Sequence, residues 1–94
     1  MNIENAKDAR QFVAVWSESS PRRRAFHFKI ASDGLSLAAS VASLRRDHKA
    51  ENAYQAARRV LHAAERAALC SILGWPIDRV VSVSELWEET DKVV

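Results

Sequence analysis

The sequence predicts a small α+β domain made of an N-terminal helix, a β-hairpin, a long Ala-rich helix and a short acidic C-terminal helix. Three observations carry that expectation. Apolar and polar residues alternate on both sides of Asp33-Gly34 in "FHFKIASDGLSLAASV", residues 26 to 41. The Ala-rich run from Asp47 to Leu73 holds neither Gly nor Pro, and Ser82 stands three residues ahead of Glu85 at the head of an acidic segment.

In the opening segment, Ala6, Ala9, Phe12, Val13 and Trp16 recur at helical spacing while Lys7, Asp8, Arg10 and Gln11 fall elsewhere. This spacing predicts a helix over 4–17, with Asn2 or Asn5 as its cap. "SSP", residues 19 to 21, ends it, because the residue before a proline is pushed out of the α region.

A two-residue turn at Asp33-Gly34 pairs Ile30 with Leu37, Phe28 with Ala39 and Phe26 with Val41 on one face. His27, Lys29, Ala31, Ser36, Ala38 and Ser40 then fall on the other. Asp-Gly suits a type I′ turn, whose central residues need positive φ. The competing reading is mostly α, with residues 35–47 helical: "LSLAASVASLRR" has good helix formers, lines up Leu37, Val41 and Leu44, and has Asp33 as a cap. The hairpin is the expectation, with Phe26 to Ala31 as its first strand.

The long helix over Asp47 to Leu73 carries the row Ala50, Tyr54, Ala57, Leu61, Ala64, Ala68 beside a second row Ala53, Ala56, Val60, Ala63, Ala67, Cys70. Side chains this small let another backbone approach closely. The polar stripe Glu51, Gln55, Arg58, His62, Glu65 breaks off at Leu69, so the last two turns are expected to be buried. Gly74 suits the C-terminal cap and Trp75-Pro76 stops the helix. "IDRVVSV", residues 77 to 83, reads as a short third strand, and "SVSELWEETDK" as a last helix whose Glu85, Glu88 and Glu89 suit the positive end of its dipole.

A chain of 94 residues makes one compact domain, residues 1–94, and buries about 60 to 65% of its unfolded surface. Hydrophobic residues at 48% and charged residues at 28% describe a globular chain rather than a disordered one. The longest uncharged apolar stretch, "AALCSILGW", is far short of the roughly 20 residues that span a bilayer. Charges at Glu4, Lys7, Asp8 and Arg10 stand where a signal peptide needs an apolar run, so no membrane partner and a cytoplasmic location are expected. The single cysteine, Cys70, has no internal partner and reads as a small buried hydrophobe.

The net charge of +2 hides an asymmetry. Residues 22–66 hold ten basic and four acidic side chains, whereas residues 67–94 hold two basic and five acidic ones. A basic middle and an acidic tail imply either an anionic partner or a tail that folds back and neutralises the middle.

No catalytic residue, metal or cofactor is expected. His27, His48 and His62 lie on different predicted elements, and His62 with Glu65 holds a metal only if further ligands converge on the pair. There is no G-x-S-x-G, H-E-x-x-H or glycine-rich phosphate loop, and two glycines leave little material for one.

The sharper signal is basic. Arg22, Arg23 and Arg24 precede the first strand, which carries Lys29, and Arg45 and Arg46 precede the long helix with His48 and Lys49. Arg58, Arg59, His62 and Arg66 run along that helix. Arg58, His62 and Arg66 are i, i+4 neighbours whose mutual repulsion an anion would relieve. The competing account is a solvated face matched by Glu51, Glu65 or the acidic tail.

The order of helix, hairpin and Ala-rich helix is similar to that of a double-stranded RNA-binding domain, with "HKAENAYQAARRVL" in the place of that family's final helix. Only Lys49 stands where the family has a basic cluster opening that helix, the family's third strand is missing from its place, and residues 70–94 have no counterpart. Phe12, Phe26, Phe28, Tyr54, Trp16 and Trp75 read as core residues. Trp87, beside Leu86 and among Glu85, Glu88 and Glu89, reads instead as an anchor for a partner's groove.

The expected function is that of a non-enzymatic protein-interaction module, a regulator or inhibitor of a larger assembly. It binds through Arg22, Arg23, Arg24, Lys29, Arg45, Arg46, Arg58, Arg59, His62 and Arg66, with Trp87 as an aromatic anchor. The alternative is a nucleic-acid binder contacting phosphates through Arg22 to Arg24 and the Arg58, Arg59, Arg66 row. An Ala-lined helix wider than one small domain covers also suggests a homodimer.

Overall fold

A computed structural model describes residues 2–93 and contains four helices, with no strand among the described residues: α1 (Ala6–Val15), α2 (Pro21–Leu44), α3 (His48–Leu73) and α4 (Val83–Asp91). The α+β expectation is therefore overturned. The predicted hairpin lies wholly within α2, and "IDRVVSV" is an irregular connection leading into α4. The likeness to the RNA-binding domain falls with it, because that fold needs a sheet.

The reason for the misreading is geometric. Residues two apart on a helix lie about 200° apart, so a helix that is apolar on two opposite sides produces nearly the alternation of a strand. Phe28, Leu35 and Ala39 are buried on one side of α2, whereas Phe26, Ile30, Leu37 and Val41 are exposed on the other. Gly34 sits in mid-helix with no positive φ, so the Asp-Gly signal marks no turn here. Ser20-Pro21 both closes the segment before it and opens α2: the Ser20 hydroxyl accepts from the Arg23 backbone N–H at 3.3 Å, and Pro21 occupies the first turn, where its missing N–H costs nothing.

The other boundaries follow the local chemistry. The Asn5 side chain caps α1 through the Asp8 N–H at 2.9 Å, Asp47 caps α3 through the Ala50 N–H at 3.1 Å, and Ser82 caps α4 through the Glu85 N–H at 3.1 Å. Gly74 ends α3 at φ 69 with the Trp75 N–H returning to the Cys70 carbonyl, as the sequence predicts.

Helices α2 and α3 form an antiparallel hairpin joined by residues 45–47. The buried row of α2 is Ala25, Phe28, Ser32, Leu35, Ala39 and Ala42, spaced alternately three and four apart, and the predicted row of α3 has the same rhythm. Two clusters make the core. Phe28 and Leu35 pack with Ala57, Leu61 and Ala9, closed over by Phe12 and Val13 of α1 and by Trp16 just after it. Ala25 packs with Ala68, Leu69, Cys70 and Leu86, closed over by Trp75 and Trp87. Trp16 stacks on His27 of α2 at 3.7 Å between ring centroids, and Phe12 meets Phe28 edge-on at 6.2 Å. Within one chain, Ala57, Leu61 and Ala68 of the first row are buried, while Ala53, Ala56 and Ala67 of the second are partly buried and Ala63 is exposed.

Candidate interaction surface

The outward side of α2 carries Phe26, Ile30, Leu37, Val41 and Leu44, with Leu37 69% and Leu44 86% exposed. These five residues fall within about 60° of arc on a straight helix. They form an apolar ridge nearly opposite the buried row, interrupted between Ile30 and Leu37 by Asp33 and Gly34.

Two clefts of about 400 and 380 Å³ run along one edge of the ridge and share Gly34, Ala38 and Tyr54. The small residues Gly34 and Ala38 lower the floor between Ile30 and Leu37 on one side and Tyr54 of α3 on the other. Cationic side chains stand at both ends. By helical position Arg22 and Arg23 lie at the N-terminal end, Lys29 on the flank and Arg45 at the C-terminal end. Asp33, the acid bordering the ridge, is paired with Lys29 at 2.9 Å, and that hydrogen bond and the nearby charge hold the ammonium above its ordinary lysine value.

The remaining basic residues divide by what already holds them. Arg22 donates to the Val93 carbonyl at 3.1 Å, and Arg24, half-buried, donates to the Ser19 carbonyl at 2.5 Å. Arg66 donates to the Arg79 carbonyl at 3.2 Å and to the Val81 carbonyl, so it fastens the connection between α3 and α4. The predicted row of Arg58, His62 and Arg66 is broken at its last member. Arg23, Arg45, Arg46 and Arg59 are exposed, and none of these pairs with a carboxylate among the described residues. Arg46 also holds a left-handed backbone, φ 59, where the chain turns from α2 into α3.

Among the described residues no carboxylate pairs with Arg58, Arg59, His62 or Arg66. Glu51 pairs with His48 at 3.4 Å, Glu89 pairs with Lys92 at 3.1 Å, and Glu65, 3% exposed, accepts from Trp87 Nε1 at 2.5 Å. Trp87 is therefore an internal anchor, half-buried against α3, rather than a free one. Arg79 lies over the Trp75 ring at 3.9 Å and completes the small interlock of residues 75–87 with α3.

Further along α3, Gln55, Arg58, Arg59 and His62 line a cavity of about 200 Å³. The Arg58 Nε–H is buried with no partner among the described residues. The ridge residues Phe26, Ile30, Leu37, Val41 and Leu44, and Gln55, were not singled out as site residues from the sequence. The signal for the ridge was present in the spacing of Leu37, Val41 and Leu44, but only a helix extended back to Ser20-Pro21 brings Phe26 and Ile30 onto the same side.

Among the described residues no helix is long and apolar enough to cross a membrane. Compared with known proteins, the chain matches no family model, no curated relative and no solved structure.

Proposed function

We propose that this chain is a non-enzymatic protein-interaction module, a small regulator of a larger assembly, which takes an acidic amphipathic helix of its partner along the outer side of α2. The observation that carries the proposal is the exposed ridge of Phe26, Ile30, Leu37, Val41 and Leu44 on a helix whose opposite side is already buried. An apolar helix face laid beside a groove is a recurrent recognition mode, and side chains spaced i, i+4, i+7 on the visitor would seat against it.

Charge selects the occupant. With Arg22 and Arg23 at one end and Arg45 at the other, a second copy of α2 would bring guanidinium groups together in either orientation. A visitor with Glu or Asp beside its apolar row meets opposite charge along its length. Alignment with a nucleic-acid backbone, the other reading of the basic middle, has less support, because Arg66 is tied to the Arg79 and Val81 carbonyls. The cytoplasmic placement belongs to the same proposal, supported by the buried free thiol of Cys70.

The test uses a labelled helical peptide with Leu at its core positions and Glu on its flanks, titrated by fluorescence anisotropy against the full chain at several salt concentrations. Leu37→Asp should weaken binding at least tenfold, equivalent to about 1.4 kcal/mol. Charge reversal at Arg23 and Arg45 should lower the association rate and its salt dependence. Equal binding by wild type and Leu37→Asp rejects the ridge. Sedimentation of a dimer that Leu37→Asp dissociates replaces the partner helix with a second copy. Tight binding of duplex RNA or DNA, falling about a thousandfold between roughly 50 and 200 mM salt, replaces it with nucleic acid.

A further inference from the structure

The geometry points to a second, separate site: we infer that the cavity lined by Gln55, Arg58, Arg59 and His62 on α3 binds one phosphomonoester group, free or carried on a phosphorylated side chain. This inference is independent of the α2 ridge.

Four observations converge. The lining residues stand at i, i+3, i+4 and i+7, so one face of one rigid helix presents two guanidinium groups, an imidazole and an amide around about 200 Å³ of space. None of Arg58, Arg59 and His62 pairs with a carboxylate among the described residues, since Glu51 is turned to His48 and Glu65 to Trp87. The buried Arg58 Nε–H has no acceptor, which is costly for a charged group, and the same side chain lines the cavity, so its rotation toward a bound oxyanion would supply one. Arg66, one turn further on, is held by the Arg79 and Val81 carbonyls and adds nothing to the site.

That closure at Arg66 decides the ligand class. A polynucleotide backbone is matched by a line of cations, and here the line stops at His62. Two guanidinium groups match a single group bearing close to two negative charges, which a phosphomonoester carries at neutral pH and a carboxylate or a phosphodiester does not. Arginine forks bind phosphoryl oxygens in pairs, and Gln55 supplies a neutral donor beside them.

The experiment follows the Arg58 Nε–H and His62 ring signals by NMR in the full chain. Titrants are inorganic phosphate, a phosphoserine peptide, dimethyl phosphate and, at matched ionic strength, chloride. The expected result is saturable one-to-one binding of inorganic phosphate in the millimolar range, with both reporters moving and no change at Arg23 or Arg45. Arg59→Gln, at an exposed position, should weaken it about tenfold without disturbing the fold. Arg58→Gln should remove it, with circular dichroism confirming that α3 persists. Tighter binding of the phosphoserine peptide assigns the phosphoryl group to a polypeptide, and equal binding assigns it to a free phosphomonoester. Equal response to chloride, equal response to dimethyl phosphate, a shift spread over all exposed arginines, or an unchanged Arg59→Gln variant each overturns the inference.

Discussion

The Trp87 indole donates its Nε1–H to the buried Glu65 carboxylate at 2.5 Å, and this bond ties α4 to the middle of α3 across 22 residues of sequence. It turns an acidic residue of the predicted polar stripe inward, and with the burial of Leu86 and Thr90 it fixes how the short last helix sits. Trp87→Phe keeps the ring in place and leaves a buried carboxylate without its donor. It should destabilise the chain by about 2 kcal/mol. Chemical denaturation of Trp87→Phe, Glu65→Gln and the double variant checks this, with a coupling of about 1 kcal/mol or more expected between the two positions.

Gly34 offers a direct test of helix against hairpin. A Cβ built there meets nothing within 4 Å, and the residue lies in the interior of α2 with no positive φ. Gly34→Ala should therefore stabilise by about 0.5 to 1 kcal/mol, raising the melting temperature by several degrees, because Ala loses less backbone freedom on entering a helix. A type I′ turn at the same place would be destabilised by the same change. A calorimetric scan reads the sign.

The turn between α2 and α3 carries its own prediction. Arg46 holds φ 59 while its N–H reaches the Ser43 carbonyl and the Asp47 N–H reaches the Ala42 carbonyl at 2.9 Å, an arrangement in which glycine is usual. Arg46→Gly should relieve the left-handed strain and leave stability unchanged or higher by up to about 1 kcal/mol, after the entropy that glycine adds to the unfolded chain. Urea denaturation reports it, and a loss of 1 kcal/mol or more contradicts it.

Ser32 is 1% exposed and its hydroxyl has no hydrogen-bond partner among the described residues. It occupies the apolar row between Phe28 and Leu35, so Ser32→Ala removes an unpaired polar atom from the seam at little change in volume. The variant should match or exceed wild-type stability by up to about 1 kcal/mol, whereas Ser32→Asn should be costly. Thermal melts of the two variants separate these outcomes.

The pairing of Lys29 with Asp33 sets the expected alkaline behaviour of α2. Because the folded chain holds the ammonium above its ordinary value, the pair supports folding below the unfolded lysine value and that support is lost as pH rises through the raised one. Lys29→Met should lower stability slightly at neutral pH and abolish the further loss that the wild type shows as pH rises through the raised lysine value, which a stability-against-pH profile reads.

The sequence by itself determined where most helices start and stop, that the middle of the chain is basic, and that α3 is long and lined with small side chains. Asn5, Asp47, Gly74 and Ser82 announce themselves because caps are local chemistry, satisfied within three or four residues of the backbone groups they serve. Only the tertiary structure decided that residues 26–44 are helical and which guanidinium groups are free. Periodicity does not separate a strand with one apolar face from a helix with two: the strand puts Phe26, Phe28 and Ile30 on one side, the helix puts Phe28 opposite Phe26 and Ile30, and every second residue is apolar in both cases. Packing against Ala57, Leu61 and Ala68 settles the matter by burying one of the two sides. The arginines likewise look alike in one dimension, but the acceptors of Arg22, Arg24 and Arg66 are backbone carbonyls supplied by the folded chain, those of Arg22 and Arg66 from elsewhere in the sequence, and no side-chain pattern encodes them.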